Sequence, residues 1–573
     1  MSQKHSHFPF QHQHWYPVAF ARDVPYNKPT KITLFDVDYV ISRSPYIPKD
    51  GEEPPKRIPG SMADDEEQVY AVLDRCPHKS ASLSEGRVIP SCVGGNDAED
   101  DGGRGSVRFQ CAYHGWAFDG KTGKCADIPQ VTASERSSSG GSAGSSRAET
   151  TAVPALIQQG IIFIFPGGGL EKALLYPPPP RVPELDLPGY RMVPAVRDFP
   201  IDWSILLENI MDPDHGLFAH QSKPFDLYTG SKEHPQAVNE EVTMDGKGVI
   251  LRASVNAVDK LTAYDRERKL EQRDAKLAKK LKDGDESDGK EDRTKPLVAT
   301  STFYAPTHVV LARKDDEGKV ASQTVFWVSP VGTGRSRFLS TFVAKLPPCF
   351  PLPRWLGHVV LNNFLDQDTH LLGTAQKYVL EAEAKALVEA EAKEEVDGDS
   401  NSKLAKDGIM ARRSLYVYRS PTEKLQARLS LFFDKTLPRA PNRASTVKRL
   451  VGISKDATPS REYTLDRYDQ HTKICPDSMG FIVKCTKIIM TSKILAALVA
   501  ATKLLVSSLA TPTDIMTKIN KILTARRIIM ILGALTVTSH FATKLRNAFY
   551  FNYPEEKRDR DLKKIPKLWS DAR

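Results

Sequence analysis

Two sets of metal-binding side chains lie in order along this 573-residue chain. The first is Cys76-Pro77-His78, separated by 32 residues from Cys111-Ala112-Tyr113-His114. The second is Asn209-x-x-Asp212-x-x-His215-x4-His220, with Asp366-Gln367-Asp368 far downstream. Two thiolates and two imidazoles, one of each from each of two tight loops, suit a [2Fe–2S] cluster that passes single electrons. Zinc takes the same four donors. Zinc fingers, however, seldom join Cys-x-His to Cys-x-x-His across such a gap and follow it with aromatics such as Trp116 and Phe118. Two histidines and one carboxylate on one face of a ferrous ion leave positions open for dioxygen and a substrate. The pair of sets predicts oxygen chemistry fed by an external reductant.

The second set needs local distortion to work. His215 and His220 are five residues apart, about 140° around a regular helix. If both bind one ion the helix must be distorted, and Pro213 supplies a cause. Asn209, Asp212 and His215 step by three and can share a face. The third ligand must be a carboxylate from elsewhere. Asp368 is the choice and Asp366 the competitor, because side chains two apart on a helix diverge. His370 reads as a neighbouring or surface residue rather than a ligand. In the first set, Gly115 falls where a turn must pass close to the metal. Neither loop has a further Cys nearby to form a stabilising disulfide, which favours the oxygenase kind of Rieske loop over the respiratory kind.

The elements around these residues follow from patterning. Short β-like runs separated by Gly, Pro and Asp turns (Ile32–Ile41, Val69–Leu73, Val107–Phe109, Ile161–Phe165) predict a small all-β domain over 14–170. Flexible inserts at Asn96–Gly105 and Ser134–Ala148 interrupt it, and Cys125 reads as a buried strand cysteine. The Pro-rich stretch Tyr176–Pro183 reads as a linker. Beyond it, strands at Val193–Arg197, Val249–Ala253, Ser301–Tyr304, Thr324–Ser329 and Phe338–Ala344 join helices at Trp203–Asn209 and about Trp355–Ala390. That mixture predicts an α+β domain with an antiparallel sheet over 184–470. The charged segments 259–296 and 381–408 have almost no apolar face and read as solvated insertions.

Bulk properties exclude some classes. The formal net charge is +9, but residues 484–573 alone carry +11 and the remainder −2. A basic excess confined to one end suggests contact with anionic lipid rather than a nucleic-acid groove. Seven sparse cysteines are no secreted disulfide framework. The first 20 residues read neither as a secretory signal nor as a transit peptide. Over 484–550, the apolar runs Ile488–Thr511 and Ile528–Thr543 are each interrupted or flanked by Lys and Arg. Neither is a clean span, so a short hairpin or interfacial helix pair at a membrane is expected. The soluble alternative is a pair of C-terminal core helices.

From about residue 14 to 487, apart from the inserts, the chain resembles the pheophorbide a oxygenase group of Rieske oxygenases. The likeness runs through Trp15-Tyr16-Pro17-Val18-Ala19, Cys76-Pro77-His78-Lys79, Leu83-Ser84-Glu85-Gly86, Cys111-Ala112-Tyr113-His114-Gly115-Trp116, Ile128-Pro129-Gln130, the Asn209–His220 motif and Gly334-Arg335-Ser336-Arg337. The resemblance implies a Rieske [2Fe–2S] cluster on Cys76, His78, Cys111 and His114, and mononuclear non-heme Fe(II) on His215, His220 and Asp368. It implies a helix-grip catalytic domain, with Asp212 carrying electrons between subunits and Asn209 orienting the site. Also implied are reduced ferredoxin as donor, a chlorin substrate of the pheophorbide a or chlorophyllide a class, a homotrimer and a plastid envelope or thylakoid location. Other members are redox components of an envelope translocon, and a non-tetrapyrrole substrate is the further alternative. Plant members carry a C-terminal Cys-x-x-Cys; here Cys475 is followed by Ser478, which puts thiol regulation in doubt.

Overall fold

The computed structural model describes residues 13–45, 67–90, 107–131, 146–222, 225–226, 238–244, 249–255, 298–315, 317–345, 353–397, 409–437, 440, 442–453, 459–508 and 524–550. The expected inserts at 96–105 and 259–296 lie outside these residues, as does most of 134–148.

The N-terminal region is all β. Its strands are β1 (Tyr16–Phe20), β2 (Thr30–Leu34), β3 (Val37–Pro45), β4 (Glu67–Leu73), β5 (Arg87–Pro90), β6 (Val107–Gln110), β7 (Ala117–Asp119), β8 (Cys125–Asp127), β9 (Ala152–Val153), β10 (Ala155–Gln158) and β11 (Ile161–Ile164). They form sheets ordered β1-β11-β10, β2-β3-β4-β9 and β5-β6-β7-β8. β11 is the middle strand of its sheet, and all four of its residues are buried. That is why it reads as an unbroken apolar run instead of an alternating one. Cys125 is half-buried in β8.

The expected single strand Ile32–Ile41 is a hairpin. Phe35 and Asp36 both take positive φ, 54° and 59°, and turn β2 into β3. Such a turn usually announces itself with Asn or Gly; here tertiary contacts impose it. Phe35 packs edge-on against Tyr16, and the amides of Phe35 and Asp36 donate to the carbonyls of Pro330 and Val331, each at 2.8 Å.

The second region is an antiparallel sheet with helices against it. β12 (Tyr190–Phe199) pairs with the last strand, and a short pair, β13 (Gln221–Ser222) and β14 (Phe225–Asp226), stands apart. The rest are β15 (Val238–Met244), β16 (Val249–Val255), β17 (Val298–Tyr304), β18 (His308–Lys314), β19 (Val320–Gly332) and β20 (Arg335–Lys345), in the order β12-β20-β19-β18-β17-β16-β15. The longer helices are α1 (Trp203–Ile210), α2 (Pro213–Ala219), α3 (Arg354–Asp397), α4 (Lys424–Thr436), α5 (Arg443–Ile453), α6 (Pro476–Ser508) and α7 (Ala525–Asn547). Trp203, Leu206 and Leu207 of α1 share one core with Phe303, Val328 and Phe338 of the sheet and Leu425, Leu429 and Phe433 of α4.

α3 is longer than expected, and this corrects the reading of 381–408. Residues 381–397 continue the helix instead of forming a solvated insertion. Leu380, Ala384 and Leu387 pack on Val447 of α5, and buried Glu383 accepts both arms of the Arg443 fork at 2.7 and 2.9 Å. The sparse apolar face was sufficient because a buried ion pair completes it.

The Pro-rich stretch is tied down. Gln158 donates to the Pro179 carbonyl, while Gln159 exchanges two hydrogen bonds with the Val182 backbone. The Gly334–Arg337 segment joins the two regions: Arg335 pairs with Asp36, and Arg337 holds Asp198 bidentately and donates to the Val18 carbonyl.

α6 starts at Pro476, a dozen residues before the expected apolar run. Its first turns carry buried Ser478, Ile482 and Cys485, whereas Met490, Ile494, Leu498 and Leu504 beyond them are exposed. Thirty-three residues make a rod of about 50 Å, and α7 packs along it. Both are long and apolar enough to cross a bilayer.

Candidate metal centres

The first centre is built from two matching turns. The Cys76 carbonyl accepts from the Ser80 amide at 2.8 Å, and the Cys111 carbonyl accepts from the Gly115 amide at 3.1 Å. Ser80 at φ 60° and Gly115 at φ 74° close the two turns in the left-handed region. At Gly115 a Cβ would meet Pro129 Cγ at 3.0 Å, so glycine is required there for space as well as conformation.

Both cysteines are buried, while His78 and His114 are exposed at the tip with ring centroids 4.7 Å apart. His78 stacks on Trp116, which fixes its plane. Burial pushes the Cys76 thiol up, against the His78 and Lys79 amides, which favour the thiolate. Desolvation, then His78 and Lys79, hold His114 below the usual imidazole range. The donor set fits a cluster whose sulfur-ligated iron is buried and whose imidazole-ligated iron faces solvent.

The second centre gathers His215, His220 and Asp368. Asp368 Oδ2 lies 3.1 Å from His220 Nε2 and 3.8 Å from His215 Nε2. Such edges suit one first-row ion with bonds of about 2.1 Å. The spacing of five is solved by helix ends instead of a distorted helix, which corrects the expectation. α1 stops at Ile210, Asp212 caps α2 by accepting from the Asp214 amide at 2.9 Å, and Pro213 sits in the first turn. His215 therefore lies on α2, and His220 lies just past its end in extended backbone. For the same reason Asn209, Asp212 and His215 do not share one helix face.

His215 Nδ1–H donates to the Asp212 carbonyl, which turns its Nε2 lone pair toward Asp368. His220 stacks on Phe364, with centroids 3.4 Å apart. Phe364 stands one helical turn before Asp368, a spacing that could have revealed it in the sequence. Burial is the main cause raising the Asp212 carboxyl, countered by His215. Asn209 is half-buried at the end of α1, and its carbonyl accepts from the Asp212 amide at 3.1 Å.

The competing carboxylate faces elsewhere. Asp366 pairs with Arg197 at 2.7 Å and Arg467 at 2.6 Å, both buried. His370 bonds Thr464 Oγ1 at 2.9 Å, outside the cluster. Among the described residues, a third group of candidate metal donors is His358, His471 and Cys475.

Known families match part of each region. The Rieske [2Fe-2S] domain family matches residues 14–139, and the pheophorbide a oxygenase family matches residues 303–386. A chloroplastic pheophorbide a oxygenase of Oryza sativa subsp. japonica is 35% identical over 36% of this chain and 32% of its own length. The protochlorophyllide-dependent translocon component 52 of Arabidopsis thaliana is 26% identical over 64% of this chain and 60% of its own. Flavonoid 8-hydroxylase 2 of Ocimum basilicum is 30% identical over 36% of this chain and 33% of its own. The chain thus spans between about a third and three-fifths of the length of these relatives. It carries a Rieske [2Fe-2S] domain and a pheophorbide a oxygenase segment, and it is similar to proteins named pheophorbide a oxygenase and chlorophyllide a oxygenase.

Proposed function

We propose that the protein is a ferredoxin-dependent Rieske monooxygenase acting on a chlorin of the pheophorbide a or chlorophyllide a class. One observation carries this reading: a one-electron donor set and a separate two-histidine, one-carboxylate set stand complete on one chain. Cys76, His78, Cys111 and His114 would hold a [2Fe–2S] cluster, which supplies electrons singly. His215, His220 and Asp368 would hold ferrous iron, which supplies open positions for dioxygen and substrate.

The chain's own contribution is orientation. The Asp212 carbonyl sets the His215 tautomer, Phe364 holds the His220 ring, and Arg197 with Arg467 withdraw Asp366. Asp212 is assigned to electron transfer between subunits of a trimer, and Asn209 to positioning. The exposed His78–His114 tip supports this arrangement because it offers the cluster's edge to another molecule. The domains are taken as 14–170 for the cluster, 184–470 for the mononuclear site and 484–550 for membrane attachment. The outward apolar faces of α6 and α7 support attachment, and the chloroplastic relatives support a plastid membrane, envelope or thylakoid.

The test supplies iron-loaded protein with reduced ferredoxin, dioxygen and a panel of chlorins, with flavonoids alongside because one relative is named a flavonoid hydroxylase. Oxygenated chlorin is the expected product. Product from flavonoids alone would move the substrate class, and no product from any compound would favour a redox component like the translocon relative. His215→Ala should keep the cluster's absorption and EPR signals and lose turnover.

A further inference from the structure

Beyond both iron centres, three donors converge in the core where the sheet meets the C-terminal helices. His358 comes from the first turns of α3, and His471 and Cys475 from the segment leading into α6; all three are buried, as is Ser478. Each imidazole is oriented by a backbone carbonyl of β12. His358 Nε2–H donates to the Pro194 carbonyl at 3.1 Å, and His471 Nδ1–H donates to the Val196 carbonyl at 2.5 Å. A histidine whose outer N–H is held by a carbonyl has its other nitrogen free to bind a metal. The two free nitrogens, His358 Nδ1 and His471 Nε2, both lie 2.9 Å from Ser478 Oγ.

One hydroxyl carries one proton and can serve only one of these nitrogens. The Cys475 sulfur is 3.6 Å from His358 Nδ1. For a tetrahedral ion with bonds of about 2.3 Å to sulfur and about 2.05 Å to nitrogen, that edge is about 3.6 Å. We propose that His358, His471 and Cys475, with the Ser478 hydroxyl as fourth donor, form a third metal site that takes Zn2+.

Binding there displaces the thiol proton to solvent and leaves a thiolate, with no change of oxidation state. The Arg354 guanidinium, held by Asp23, and the Ser478 amide both favour that thiolate against the effect of burial. All four donors are closed off from solvent, as in structural zinc sites, so the ion enters as the chain folds. The site ties the base of α6 to α3 and β12. It therefore anchors the exposed apolar helix α6 to α3, the helix that carries Asp368.

The test does not depend on the proposed oxygenase reaction. The full chain is expressed with zinc supplied, in a His215→Ala/His220→Ala background that removes the mononuclear site as a source of zinc. Preparations are chosen whose iron and sulfide match a full [2Fe–2S] cluster. Elemental analysis should find about one zinc per chain, and X-ray absorption should show one sulfur in its shell. Adding Cys475→Ala should lower the zinc at least tenfold. Ser478→Cys, a near-isosteric change in the first turn of α6, should raise the shell to two sulfurs and decides the matter if Cys475→Ala does not fold. Folded background protein with less than a tenth of an equivalent of zinc would overturn the site. So would zinc that survives Cys475→Ala, or a one-sulfur shell unchanged in Ser478→Cys.

Discussion

At the scale of single residues, the most consequential choice is between two aspartates one residue apart from a shared neighbour. Asp366 is committed to Arg197 and Arg467, and Asp368 faces His215 and His220. The two substitutions should therefore fail differently. Asp368→Asn should lose mononuclear iron by metal analysis while retaining the cluster and near-native stability. Asp366→Asn should keep its iron but lose roughly 3 kcal/mol in urea unfolding, because two buried guanidinium groups lose their counter-charge. The reverse pattern would exchange the roles of the two carboxylates. Gln367 between them offers no such contrast; it is half-exposed, and its side chain donates to the Asn363 carbonyl in the preceding turn.

Elements hold the centre through charge as much as through packing. Asp202 caps α1 and is fully buried, where Arg443 of α5 pairs with it at 2.9 Å. Arg443 also holds Glu383 of α3, and Arg412 joins Ser204 and Glu208 of α1 at 2.7 Å each. α1, α3 and α5 thus meet at buried ions. Arg443→Ala strands two carboxylates and should cost about 3–5 kcal/mol. Calorimetry or urea unfolding checks this, and a loss under 1 kcal/mol would mean that the network is not what joins the helices. None of this network was legible beforehand. A run such as Glu381–Glu395 looks solvated in sequence because a charge shows its cost but not its partner, and the partner here is about 60 residues away.

For the whole molecule, two responses follow from burial. His308 is enclosed between the Tyr304 and Trp327 rings, and burial pushes its imidazole down to about 3. The unfolded chain takes up a proton near pH 6.5 and the folded one only near 3, so this contribution to stability is intact above 6.5 and is lost as pH falls through that window. The slope approaches about 1.4 kcal/mol per pH unit. His308→Phe should remove that slope, so unfolding free energies at pH 7.5 and 5.5 should differ by about 1.4 kcal/mol less than in the parent chain; equal slopes would contradict it. The second response concerns α6 and α7. Full-length protein should float with liposomes of neutral and anionic lipid and stay bound through 1 M salt and alkaline carbonate. Release by salt alone would mean that the basic tail touches the surface without insertion.

The ligand types and their order along the chain could be read before any fold was known, because metal chemistry restricts a tight loop to few residues at few spacings. Strand positions in the sheet were also legible where apolar runs were long, although β15 and β18 were missed and the β2–β3 hairpin was merged. Tertiary structure alone decided how His215 and His220 come together and where α6 begins. It also brought His358 to His471 and Cys475 across 113 and 117 positions of sequence. The reason is one of distance: spacing encodes what a turn or a helix can bring together. A carboxylate's partner, a histidine's tautomer and a buried charge's counter-ion are set by groups that become neighbours only when the chain folds.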